Sequence, residues 1–155
     1  MTYEDLLIVA SNENLIVKEK PLRYNNGRIK GNRIAIRRDI PTLRKKADIL
    51  AEELGHYYTT VGRIVEQDTV DARKQEHKAR LKAYNMQIPL IDIISAYKNH
   101  CRNIYEISEF LDVSEDTINE ALEAYRQIYG AGTIIGDWYV QFEPYLMIYT
   151  YKVPQ

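Results

Sequence analysis

Glu52, Glu53 and His56 stand in the segment Ala51-Glu52-Glu53-Leu54-Gly55-His56-Tyr57, one substitution from the His-Glu-x-x-His arrangement that holds a metal ion on a helix. Residues four apart on an α-helix project from one face, so positions 52 and 56 can grip one cation while the carboxylate between them reaches its bound water. A carboxylate oxygen binds zinc at about the same distance as an imidazole nitrogen, so Glu52 is a legitimate first ligand and His56 the second. The chemistry implied is hydrolysis by a metal-activated water with Glu53 as general base.

A helix must carry these residues, and the sequence supplies one. Leu43, Ala47, Leu50, Leu54 and Tyr57 recur at helical spacing after Asp39-Ile40-Pro41, forming one apolar stripe. At 100° per residue, Glu52 and His56 sit roughly 40° apart and off that stripe, so a second element must cover their side. Asp71 to Tyr84 is the candidate: Ala72, Glu76, Ala79 and Ala83 share a face, and a carboxylate among alanines points into a narrow gap. Glu76 is therefore the expected third ligand. His77 and Arg80, with Tyr57, are candidates to polarise a scissile carbonyl or stabilise an oxyanion.

Ahead of this pair, Thr2 to Ala10 reads as a short helix. Leu15-Ile-Val-Lys-Glu and Arg33-Ile-Ala-Ile-Arg-Arg read as strands, with turn chemistry at Asn25-Asn26-Gly27 and Gly31-Asn32. Arg33, Ile34, Ala35, Ile36 and Arg37 are expected to form an edge strand that holds an extended substrate, with Ile34 and Ile36 facing the core. Further on, Pro89 to Lys98 is an apolar helix, and Asn103 and Ser114 are N-cap signals for helices ending near Leu111 and Gly130. Asp137 to Val153 alternates about Pro144 as a hairpin.

Taken singly, each site residue has a plainer reading: Glu52 as a solvated glutamate, His56 as a capping or packing residue near its helix end, Glu76 as an ion-pair partner of Lys78 or Arg80, and Tyr57, His77 and Arg80 as packing or surface residues. Their joint spacing favours the metal. Glu52-Glu-Leu-Gly-His56-Tyr-Tyr, Lys74-Gln-Glu76-His-Lys-Ala79-Arg80, Ile88-Pro89 and Ile107-Ser-Glu-Phe-Leu-Asp-Val-Ser114 together resemble the ImmA/IrrE family of metallo-endopeptidases over residues 1 to about 130. The resemblance implies zinc bound by Glu52, His56 and Glu76, with Glu53 as base. It also implies a substrate that is a repressor of a phage or mobile element. Position 52 departs from the usual His, in a Glu-Glu-x-x-His form similar to the phage-borne branch. Two carboxylates and one imidazole carry one more negative charge than the usual set, which weakens the bias toward zinc over manganese or iron.

The fold class expected is α+β: a small antiparallel sheet on a mainly helical, zincin-like core, a helical C-terminal part and a terminal β-hairpin. The divisions expected are a peptidase-like core over 1–100, a helix-turn-helix-like subdomain over 101–130 and a hairpin tail over 131–155. A catalytically degenerate peptidase fold that binds a repressor, or serves as a toxin or antitoxin partner, is the competing class.

At 155 residues and 45% hydrophobic content, the chain has enough material for one well-buried core. The single cysteine, Cys101, excludes an internal disulfide and suits a reducing compartment. No apolar run approaches membrane-spanning length, and Met1-Thr-Tyr-Glu-Asp has no basic leader, so the expected location is the cytoplasm of a bacterial host cell. A net charge of −1 gives no global reason to expect direct nucleic-acid binding. Residues 104–130 are too acidic for a recognition helix. Arg28 to Lys46 is locally basic, with eight cations against Asp39.

Overall fold

The computed structural model describes residues 1–60 and 69–151, which form two units, Met1–Gln87 and Ile88–Gln155. In the first unit, Thr2 caps α1 (Tyr3–Asn12) through a reciprocal capping box with Asp5, and Leu6 and Ala10 turn inward. A three-stranded sheet follows, built from β1 (Ile16–Lys20), β2 (Gly27–Lys30) and β3 (Arg33–Arg37).

Its order is β1-β3-β2, with β1 parallel and β2 antiparallel to β3. The sheet is mixed, and β3 is paired on both sides, so the expected edge role of Arg33, Ile34, Ala35, Ile36 and Arg37 is overturned. The physical reason lies in the turns. Gly31, at φ +59°, closes a tight β2–β3 hairpin, whereas residues 21–26 carry the chain across so that β1 joins the far side of β3. Gly27-Arg-Ile-Lys30 has one apolar side chain and so carries little strand signal of its own, yet it forms β2. The alternation of β3 holds: Ile34 and Ile36 are buried.

Against the inner face of the sheet lies α2 (Leu43–Thr60), and α3 (Thr69–Gln87) packs along it. Ala47, Leu50, Ala51 and Leu54 of α2 join Leu6, Ala10, Ile34, Ile36 and Ala83 in one core. Leu43, expected on that stripe, is 64% exposed because it starts the helix, before the chain has passed under the sheet. Polar ties fix the layers: Lys46 reaches Glu19 of β1 at 2.6 Å, Tyr58 donates to Glu13 at 3.1 Å, and Gln87 donates to Asp48 at 2.9 Å. The closest approach of the two helices is at Gly55. A β-carbon built there would collide with the carbonyl group of Ala79, which is itself fully buried.

The second unit contains α4 (Leu90–Lys98), α5 (Ile104–Leu111) and α6 (Glu115–Tyr129). A three-stranded antiparallel sheet of β4 (Gly132–Ile135), β5 (Trp138–Gln141) and β6 (Met147–Thr150) completes it. Asn103 and Ser114 cap α5 and α6 as read. The division falls between Gln87 and Ile88 rather than near residue 100, and residues 101–130 and 131–151 form one unit rather than two. Buried Tyr125 of α6 donates to the Ile88 carbonyl at 2.8 Å and gathers Tyr129 and Phe142 around its ring, knitting helices and sheet together. The expected hairpin gains β4 as a third strand, turned by Gly136 at φ +58°. Among the described residues no helix is long and apolar enough to cross a membrane.

Replacing Gly55 with alanine sets a gain in helix propensity of about 1 kcal/mol against a clash with backbone, which typically costs roughly 1–3 kcal/mol. Backbone cannot rotate away as a side chain can, so the clash dominates. The Gly55→Ala protein is expected to unfold at lower urea than the wild type, and an unchanged or higher midpoint would contradict the close helix crossing.

Candidate metal centre

The crossing at Gly55 decides what stands beside it. Glu52 and His56, one turn apart on α2, project toward the face of α3 that carries Glu76, three residues before Ala79. One ligand atom from each of Glu52, His56 and Glu76 lies within 4.8 Å of the other two, and His56 Nε2 is 3.6 Å from Glu76 Oε1. Among the described residues, no other group of His, Cys, Asp and Glu side chains converges in this way. The His56 side chain is 21% exposed and that of Glu76 is 53% exposed, so the group opens to solvent on one side.

Glu53 lies one residue along and inside. It is only 9% exposed, held under the start of β2, where a β-carbon built on Gly27 would lie 2.9 Å from Glu53 Oε1 and 2.6 Å from Ile49 Cγ2. Burial pushes the Glu53 carboxyl up from its ordinary value of 4.5 to about 7, and the charges of Glu52 and Glu76 add to the rise. A carboxyl that titrates near neutrality is matched to general acid–base work.

The donor set fits a divalent cation. Three carboxylates and one imidazole crowd a small volume in which the described residues place no cationic side chain against them. A cation held by Glu52, His56 and Glu76 would relieve that repulsion. The set is oxygen-rich, with a single nitrogen donor and no sulfur, a combination compatible with zinc, manganese or iron.

The other expected site residues go elsewhere. The Tyr57 hydroxyl stands 3.5 Å from Glu13 on α1, with its ring edge-on to Tyr58. His77 and Arg80 are exposed on α3, and neither shows a hydrogen bond or ion pair among the described residues. Arg33 is exposed in the sheet, and Arg37 pairs with Asp39 at 2.6 Å. In the sequence, Asn26-Gly27 carries only the chemistry of a turn. Only its approach to Glu53 gives it meaning.

Two helices thus bring Glu52, His56 and Glu76 together beside the buried Glu53. The model of the Peptidase_M78 family, the IrrE N-terminal-like domain, matches residues 8–123, more than half of the chain and inclusive of all four residues, and the chain belongs to this family. No curated protein and no solved structure gives a match.

A folded-state pKa above the unfolded value means the native protein favours the proton. In the metal-free protein this contribution to stability is complete below pH about 4.5 and is lost as pH rises through about 7. The urea midpoint of metal-free protein is expected to fall between pH 5 and pH 8. Glu53→Gln should flatten that fall, and an equally steep fall in the variant would assign it to other groups.

Proposed function

We propose that this chain is a metal-dependent endopeptidase that cuts a protein substrate, a repressor of the phage or mobile-element kind that the family resemblance implies. The observation that carries this reading is the convergence of Glu52, His56 and Glu76 within 4.8 Å beside buried Glu53. Zinc, or manganese or iron in its place, would supply Lewis acidity to polarise the scissile carbonyl and acidify the attacking water. Glu53 accepts the proton of that water on its carboxylate and returns it to the departing amine nitrogen.

The substrate's place is β2 rather than β3. Among the described residues β2 ends the sheet, and its Gly27 end lies over Glu53. Arg37 N–H donates to the Asn26 carbonyl at 2.7 Å. Pairs that exchange hydrogen bonds alternate along an antiparallel ladder, so Asn26, Arg28 and Lys30 face β3 while Gly27 and Ile29 present their main-chain groups to the open edge. An extended peptide added there by main-chain pairing runs past the base. Gly27 then has two roles, bonding the peptide and leaving room for the Glu53 carboxylate.

The direct test incubates the purified chain with the repressor encoded beside it, follows cleavage by mass spectrometry, and measures metal in untagged protein. The wild type is expected to hold stoichiometric metal and to cut. Glu76→Ala should lose the metal, while Glu53→Gln should keep it and lose about 100-fold or more in rate. A Glu53→Gln protein that cuts at the wild-type rate ends the assignment of the base, and a wild type without metal ends the enzyme reading. Gly27→Ala is expected to keep the metal but lower kcat at least about tenfold by displacing the base. Unaltered kcat would leave β2 without a part in positioning Glu53.

A further inference from the structure

The net charge of −1 hides a segregation. Residues 1–87 carry 17 Lys and Arg against 12 Asp and Glu, and residues 88–155 carry 4 against 10. Within the first unit the excess is concentrated on one surface. In the three-stranded sheet, alternate residues point to opposite faces, and the face turned away from Ile34 and Ile36 displays Lys18 and Lys20 of β1, Arg28 and Lys30 of β2, and Arg33 of β3.

The strand register arranges these cations in lines. Lys18 and Arg28 both pair with Ala35 from opposite sides, and Lys30 lies beside Arg33. Neighbouring cations along β1 and along β2 are about 6.6 Å apart, and the two outer rows are roughly 10 Å apart across β3. Between them the short Ala35 side chain leaves a depression of about 220 Å³, and no acid lines it. Glu19 of β1 points to the other face, where Lys46 takes it. None of the five cations has an ion pair among the described residues, unlike Arg37, which Asp39 neutralises.

We propose that this outer face binds the phosphodiester backbone of a nucleic acid, through charge and without reading the bases. Two rows of cations bordering a furrow form a groove of the kind that tracks a polyanion. The floor, Ile16 and Ala35, offers no deep apolar pocket in which an acidic protein partner would seat an anchoring side chain. A sheet face also has no free main-chain groups with which to pair an acidic peptide. What remains as the source of affinity is neutralisation of closely spaced charge with release of counterions, which a phosphate chain supplies best. The proposal is independent of the metal centre.

The test is fluorescence anisotropy of the full chain with a labelled 15-nucleotide oligo(dT), with oligo(dA) for comparison and poly-L-glutamate as competitor. Binding is expected to be alike for the two oligonucleotides. It should weaken with salt on a log–log slope of about −3 to −4, from roughly 0.7 per phosphate contact over five contacts. Reversal of three exposed charges, Lys18→Glu with Arg28→Glu and Lys30→Glu, should lower affinity about tenfold or more. Arg73→Glu, an exposed change on α3, should leave it nearly unchanged. Circular dichroism melting and metal content of the triple variant should match the wild type, since none of the three side chains packs in the core. Absence of binding at about 50 mM salt, an unaffected triple variant, or strong preference for one base would overturn the proposal. Competition by poly-L-glutamate as effective per charge as the oligonucleotide would overturn it in favour of an acidic protein.

Discussion

Two helix backbones touch where Gly55 of α2 meets Ala79 of α3, and the chemistry of this protein depends on that contact. Ligands from two helices share one point only if the helices are close enough for short side chains to span the gap. Glutamate and histidine reach a few ångströms from the backbone, so a larger residue at either position would separate His56 from Glu76. The 3.6 Å between them follows from the missing β-carbon at position 55. Other ties keep the helices from sliding: Gln87 of α3 donates to Asp48 of α2, and the Lys82 ammonium of α3 sits 5.0 Å over the Tyr58 ring of α2.

The same compression puts a carboxyl where little water reaches it. Glu53 is wedged between α2 and the glycine that starts β2, with two more carboxylates nearby. Burying an ionised acid is costly, and the cost appears as a carboxyl pKa pushed up to about 7. Stability thus favours the protonated acid, while proton abstraction needs the ionised form. In the proposed reaction the position of Glu53 is a compromise between the two.

The sheet serves two faces and an edge at once. Its inner face supplies Ile34 and Ile36 to the core beneath α2, its β2 edge borders Glu53, and its outer face collects cations. Strand alternation makes this division sharp, because neighbouring residues on one strand are assigned to opposite sides without exception. Averaged over the chain, the charges cancel and the pattern vanishes from the composition.

Much of the site was legible in one dimension because its parts obey local periodicities. Glu52 and His56 share a helix face by spacing alone, Glu76 stands among alanines at helical intervals, and the caps at Asn103 and Ser114 are short-range hydrogen bonds between residues three apart. Family membership rests on the same local patterns. Tertiary structure decided the rest: that β3 lies in the middle of its sheet, that β2 forms the edge, that Gly27 presses on Glu53, and that the second unit begins at Ile88. These depend on pairings and approaches between segments distant in sequence. A strand's neighbours are set by how connections close and what they bury, which no repeat within the strand itself encodes.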